Sequence, residues 1–274
     1  DYFNAYYNLA NAFHELGKYQ DAITCYTQAI KLDPGYIAAH YNLGNTLQKM
    51  AKYDEAIASY NQAIKLKPDY IEAHNNVGNA LQKMAKCEEA IASYNQAIQL
   101  RPDYIEAYNN KGSVLKELGS FEEAIACFTQ AIKLKPDHIE AHYNLGNTLK
   151  EQGKYEESVV SFTQAIQLKS DFFEAYNNMG MVLHLQGRFM EAKAAYKQGI
   201  AINSKPGLTH VYLKSLYNKE NKRNVSAPTD LPEAQRENEK IYPGLRIWTR
   251  PVEEALVDFV CAMPTLTPKG EAKS

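Results

Sequence analysis

Cysteine is scarce in this chain. Four cysteines occur in 274 residues. Cys25, Cys87, Cys127 and Cys261 lie far apart with no CxxC pair. That argues against a zinc site and a disulfide framework, and for reduced thiols in a cytosolic or nuclear setting. An excess of one charge sign is also missing. Lys plus Arg is 30 and Asp plus Glu is 32, a net charge of −2. Phosphate binding needs a basic stripe or a clear basic excess, so nucleic acid is not expected as a partner. No apolar run approaches the ~20 residues of a membrane span, so no membrane partner is expected. The first residue is Asp1, and no signal-like stretch follows it. A fragment or processed chain is therefore expected, located in the cytoplasm, with the nucleus as the alternative. No phosphate loop, nucleophile elbow or paired-carboxylate site is found, so neither catalysis nor a cofactor or metal is expected. Hydrophobic residues make up 45% and charged residues 23%, a balance that argues against disorder. Trp occurs once but Tyr 20 times, and this skew has a specific origin.

The origin is an internal repeat. YNLGNTLQKMAKYDEAIASYNQAIKLKPDY begins at Tyr41, and the near copy NNVGNALQKMAKCEEAIASYNQAIQLRPDY begins at Asn75, 34 residues on. One frame fits residues 3–36, 37–70, 71–104, 105–138, 139–172 and 173–206. Each unit reads as two helices. In the third, the first helix runs from about Ile71 to Met84 and the second from about Glu88 to Leu100. Ala90, Ile91, Tyr94, Ala97 and Ile98 repeat at spacings of three and four, which makes one apolar helical face. Pro34, Pro68, Pro102 and Pro136 stop the second helix between units. Gly17, Gly119, Gly153 and Gly187 sit at the turn inside the units, where a positive φ suits glycine. Ala51 and Ala85 replace them in two units. There, either alanine makes the turn or the first helix is longer.

Small residues recur where helices must touch. These are Gly44, Gly78, Gly112, Gly146 and Gly180 in the first helix, with Ala22, Ala56, Ala90, Ala124 and Ala192 in the second. Large residues at Tyr26, Tyr60, Tyr94, Phe128, Phe162 and Tyr196 fill the space beside them. A lone helix pair cannot bury both apolar faces, whereas stacking on neighbours can.

These residues resemble the tetratricopeptide repeat (TPR) family. Its pattern is met at Tyr6, Leu9, Ala10, Phe13, Ala22, Tyr26, Ala29 and Pro34, and again in later units, over about three-quarters of the chain. The resemblance implies an all-α fold: a right-handed TPR superhelix, or solenoid, of six repeats within residues 1–206. A capping helix is expected over 207–223 and a short C-terminal segment with one or two short helices over 224–274. It also implies that the first helix of each unit lines a concave groove. Departures are His40, His74 and His142 at an aromatic position, Ser170 and Ser204 in place of the stop proline, and Lys111 at a usually apolar place.

The groove-facing positions carry amides. The sixth position is Asn8, Asn42, Asn76, Asn110, Asn144 and Asn178. The ninth holds Asn11, Asn45, Asn79 and Asn147, with Ser113 and Met181. The fifth holds Tyr7, Tyr41 and Tyr143, with Asn75, Asn109 and Asn177. The twelfth holds Gln48, Gln82, Lys116 and Lys150, with His14 and His184. Asparagine is poor inside a helix, so a row of it needs a reason. A carboxamide both donates and accepts, as a peptide bond does. Such a row resembles the asparagine-lined groove of the TPR arm of O-GlcNAc transferases, which implies an extended peptide or protein segment as ligand. Alternatively, the sixth-position asparagines bond to the neighbouring unit and set the stack. A chaperone-tail clamp is disfavoured because the fifth position has no Lys or Arg. Lys116 and Lys150 make mid-groove mildly basic, offset by Glu72, Glu106, Glu140 and Glu174.

Other candidates carry less. Histidines in adjacent units stand about 10 Å apart, too far to share a zinc ion at ~2 Å bonds, so they read as packing substitutes. Cys25 and Cys127 read as a small, exposed helix position. The expected function is a non-catalytic scaffold holding an extended segment. The alternative is the recruiting arm of a larger enzyme, glycosyltransferase-like for example. Self-association through end repeats or the C-terminal segment is a third expectation.

Overall fold

The computed structural model describes residues 2–203 together with Leu213, Lys214 and Leu216. The expected capping helix over 207–223 lies outside the described residues save those three, and the segment over 224–274 lies wholly outside them. The chain divides between Ala195 and Tyr196, and the packing described below belongs to the part up to Ala195.

Twelve α-helices follow one another among the described residues: α1 (Tyr2–Glu15), α2 (Tyr19–Leu32), α3 (Ile37–Lys49), α4 (Tyr53–Leu66), α5 (Ile71–Lys83), α6 (Cys87–Leu100), α7 (Ile105–Glu117), α8 (Phe121–Leu134), α9 (Ile139–Glu151), α10 (Tyr155–Leu168), α11 (Phe173–Leu185) and α12 (Phe189–Ile202). Acids open the even-numbered helices, as with Asp54 and Glu55 in α4 or Glu122 and Glu123 in α8. There they meet the positive end of the helix dipole. The stop proline is not essential. α10 ends at Leu168 with Ser170 following, in register with α8, which ends at Leu134 before Pro136.

The turn within a unit uses the left-handed backbone in every case described. Gly17, Gly119, Gly153 and Gly187 have φ between 72° and 77°. Ala51 and Ala85 adopt the same conformation, φ 58° and 57°, at a steric cost that glycine does not bear. The alanine units therefore make the turn rather than lengthening the helix.

Packing within a unit is set by one glycine and one ring. A Cβ on Gly44 would lie 2.5 Å from the Tyr60 ring, and one on Gly78 2.6 Å from Tyr94. At Gly112 and Gly146 the rings of Phe128 and Phe162 would be 2.8 Å away. Each ring is fully buried. Ser158 takes the place of the small alanine in α10 and donates to the Gly146 carbonyl at 2.7 Å.

Each second helix also packs on the first helix of the next unit, α2 on α3 through α10 on α11. The odd-numbered helices touch one another along the array, α1 with α3 and so on to α9 with α11, while no comparable contact joins even-numbered helices among the described residues. Hairpins closer together at one edge than at the other bend the stack, with the odd-numbered helices on the inner side. Leu9 in α1 is 46% exposed, whereas its counterparts Leu43 and Val77 are half-buried and buried.

Cys25 and Cys127 were expected at the surface, but both are buried, at 9% and 8% exposure. The reason is their place beside the central ring. Cys25 clusters with Ala22, Tyr26 and Ala29, and Cys127 with Leu115, Ala124 and Phe128. Burial pushes both thiols up, away from the nucleophilic thiolate.

Candidate functional site

The inner side of the bend is where the fifth, sixth, ninth and twelfth positions come together. The sixth-position asparagines reach across to the preceding unit. Asn42 Nδ2 donates to Tyr7 Oη at 3.0 Å and Asn11 Oδ1 at 3.2 Å. Asn76 does the same to Tyr41 Oη and Asn45 Oδ1, both at 3.0 Å. Asn110 donates to Asn75 Oδ1 at 3.2 Å and Asn79 Oδ1 at 3.0 Å. Asn178 donates to Tyr143 Oη at 3.0 Å and Asn147 Oδ1 at 2.8 Å. Asn144 donates to Asn109 Oδ1 at 3.1 Å, with Ser113 standing where the second acceptor would be. Asn8 belongs to the first unit and is exposed. A half-buried amide with two partners is a brace, which is the second of the two readings open to the sixth position. It rationalises a poor helix former at this position.

The ninth and twelfth positions differ along the array. In the first three units a tyrosine hydroxyl from the second helix closes the ninth position, and in the second and third the twelfth as well. Tyr26 donates to Asn11 Oδ1 at 2.6 Å. Tyr60 shares its proton between Asn45 Oδ1 and Gln48 Oε1, each at 2.9 Å. Tyr94 approaches Asn79 Oδ1 at 2.9 Å and Gln82 Oε1 at 3.5 Å. Gln82 also donates to Glu117 at 2.9 Å. His14 Nδ1 lies 2.8 Å from Thr46 Oγ1. That hydroxyl gives its own proton to the Asn42 carbonyl, so His14 is the donor.

In the fourth and fifth units the ring is Phe128 or Phe162, and the hydroxyl is gone. Here the twelfth position is Lys116 or Lys150. Asn147, 8% exposed, accepts from Asn178 only. Lys150 is half-buried, and desolvation together with the charge of Lys116 lowers its pKa, against the opposing effect of Glu151. The fifth position also changes character. Tyr7, Tyr41 and Tyr143 lie against Tyr36, Tyr70 and Phe172 with ring centroids 4.9, 4.8 and 4.9 Å apart, whereas Asn75 and Asn109 offer no ring.

The histidines at the aromatic position, half-buried or buried, also make a hydrogen bond. Nε2 of His40, His74 and His142 donates to the carbonyl of Pro34, Pro68 and Pro136 at 3.0, 3.0 and 2.9 Å. Each one ties down the turn between units. His138 Nδ1 caps α9 by accepting from the Ala141 amide at 3.1 Å. Among the described residues no group of three His, Cys, Asp or Glu gathers to hold a metal ion, and no helix is long and apolar enough to cross a membrane. Of the second-position acids, Glu72 pairs with Arg101 at 3.2 Å, while Glu106, Glu140 and Glu174 are exposed. Lys111 is half-buried.

Sequence reasoning took Tyr60, Tyr94, Phe128 and Phe162 as space-filling rings alone. The signal that would have revealed more is internal to the chain. Gln at the twelfth position goes with Tyr on the second helix, and Lys with Phe.

Family models match nearly the whole array. One described as TPR repeat covers residues 10–50, 52–84, 86–119, 112–153 and 146–187, and one described as Tetratricopeptide repeat covers 173–206. The chain belongs to the tetratricopeptide repeat family. Its TPR helices superpose on solved structures. MamA is 26% identical with a TM-score of 0.55, covering 59% of this chain and 94% of that one. YrrB, a TPR protein with an unusual peptide-binding site, is 20% identical with a TM-score of 0.56, covering 71% of this chain and 97% of that one. The APC/C hetero-tetramer Cut9–Hcn1 is 16% identical with a TM-score of 0.63, covering 78% of this chain and 42% of that one. No curated protein matches the sequence.

Proposed function

We propose that the inner face of the TPR array holds an extended segment of another protein, without catalysis. The observation that carries this is the repeated polar row itself. Side chains at the ninth and twelfth positions recur on the odd-numbered helices about every 10 Å, the helix-packing distance. An extended strand rises ~3.3 Å per residue, so one unit matches about three ligand residues. The sixth-position amides and their fifth-position partners serve as the frame, and the groups that this frame leaves unbonded at the ninth and twelfth positions supply the contacts. Peptide binding by YrrB supports the reading to the extent that a fold of this kind can receive a peptide. Each hydrogen bond contributes roughly 0.5–1.5 kcal/mol against ~4–15 kcal/mol lost on association. Several rungs must therefore act together, and micromolar affinity is expected, about −8 kcal/mol.

The test is selection of random linear peptides of about a dozen residues on the full chain. Binding should then be challenged by Gln82→Trp on the inner face and by Gln96→Trp on the exposed side of α6. The first should abolish binding and the second should leave it unchanged. Equal sensitivity of the two, or no selected peptide at all, would reject the inner face as the site.

A further inference from the structure

The fourth and fifth units share one chemical feature that the second and third lack. In the second and third units each ninth- and twelfth-position amide oxygen meets a hydroxyl: Tyr60 serves Asn45 and Gln48, and Tyr94 serves Asn79 and Gln82. In the fourth and fifth, Phe128 and Phe162 offer no polar atom, and Lys116 and Lys150 stand where glutamine stood. Among the described residues neither lysine has an ion pair or a hydrogen bond. Asn147 sits one turn before Lys150 on the same face of α9, and its Nδ2 makes no bond there either. Its Oδ1 is occupied by Asn178. What remains is mainly donors: two ammonium groups and one amide N–H₂, beside the second lone pair of Asn147 Oδ1.

The two lysines lie near enough for the charge of Lys116 to disfavour the charged form of Lys150. Two acids stand beside them: Glu117 accepts from Gln82, and Glu151 is exposed, its charge opposing that of Lys116 at Lys150. Yet neither acid makes an ion pair with either lysine among the described residues. Two like charges held at adjacent rungs, one of them half desolvated, are disfavoured by themselves and stabilised by an anion placed between them.

We infer that Lys116, Lys150 and Asn147 form a carboxylate-binding rung, which fixes the register of an extended peptide by receiving one Asp or Glu side chain. This rests on the inner-face reading above and adds to it the chemistry of the ligand. In the second and third units the same rung is closed by tyrosine and glutamine, so the ligand there meets neutral groups. The protein would hold main chain along most of the face and demand a negative side chain at one place.

The probe is the same random linear peptide library, selected in parallel on the native chain and on the Lys116→Gln/Lys150→Gln variant. The native chain should enrich an acidic residue at one fixed position, and the variant should still select peptides without that preference. A selected peptide synthesised with Glu and with Gln at that position should differ about ten- to hundredfold in affinity for the native chain. For the variant the difference should be under about twofold. The native preference should shrink as salt rises, since these charges are partly exposed. A second variant carries the feature elsewhere. Tyr60→Phe, Gln48→Lys, Tyr94→Phe and Gln82→Lys together should create a second acidic preference two units nearer the N-terminus. Native binding indifferent to Glu or Gln, or a preference that survives in the double variant, would overturn the inference and leave the peptide-binding reading standing. Failure of the native chain to select any peptide would remove both.

Discussion

The second and third units and the fourth and fifth units are built on one pattern and behave as two materials. The former close their inner face with Tyr60–Gln48 and Tyr94–Gln82, and turn through alanine at φ 58° and 57°. The latter replace tyrosine by Phe128 and Phe162, place Lys116 and Lys150 on the inner face, and turn through Gly119 and Gly153. The lesson is that the array separates the work of stacking from the work of contact. The buried ring against a helical glycine is common to all four units. The polar atom at the end of that ring decides whether the ninth- and twelfth-position oxygens are hydrogen-bonded from the second helix of their own unit.

The largest expected effect is in alkali. Burial raises the pKa of Tyr26, Tyr60 and Tyr94 well above the usual tyrosine value of 10.0, and pushes Tyr70 and Tyr104 up to about 12. A folded-state pKa above the unfolded one means the stabilising contribution is complete below about pH 10 and is lost as pH rises through the folded values. The second-helix rings of the fourth and fifth units, Phe128 and Phe162, carry no ionisable group. Hydrogen exchange monitored from pH 9 upward should therefore show α3–α6 losing protection before α8–α10. Simultaneous loss would blur the distinction.

Next come the glycines. Gly44→Ala and Gly78→Ala push a Cβ against a tyrosine ring and should each cost about 2–3 kcal/mol. Gly112→Ala and Gly146→Ala have a few tenths of an ångström more room and should cost about 1–2 kcal/mol. Urea unfolding gives the order directly, and a reversed order would mean that the rings are freer than their burial implies.

The braces follow. Asn76→Ala removes two donations and should cost about 2 kcal/mol, whereas Asn144→Ala removes one and should cost about 1 kcal/mol. Tyr94→Phe should cost about 1 kcal/mol for the lost hydroxyl. Phe162→Tyr should be stabilising because Asn147 Oδ1 can accept a second bond, as Asn45 Oδ1 does, and Lys150→Gln should add to the gain by offering a further acceptor, which thermal melts of the single and double variants would reveal.

The smallest effect lies in the turns. Ala51→Gly and Ala85→Gly relieve a left-handed alanine worth ~1–2 kcal/mol, against ~0.4–1 kcal/mol of added unfolded-state entropy. Each should gain about 0.5 kcal/mol. Gly119→Ala and Gly153→Ala should lose about as much, and equal signs for the two pairs would contradict the account.

Much of this could be read before any coordinates. The 34-residue period, the Gly44–Tyr60 type of pair and the proline stops specify two helices per unit and their stacking, because local spacing and side-chain size decide such packing. The inner-face row was also legible as a row. Its division of labour was not, because a carboxamide satisfies a neighbouring unit and a peptide ligand equally well on paper. The assignment of Asn42 to Tyr7 and Asn11 depends on where the preceding hairpin lies. The exposure of Cys25 was misjudged for a related reason: a small residue next to a buried tyrosine can face either side until the ring is placed.

The amino-acid order alone determined the helices, their turns and the repeat, since these follow from interactions within a few residues or with a near-identical neighbour. Only the tertiary structure decided which polar groups are spent inside the array and which are left over. Hydrogen-bond satisfaction is a matter of atoms within 3.5 Å, and partners 31 and 35 residues apart come within that reach only when the units are stacked.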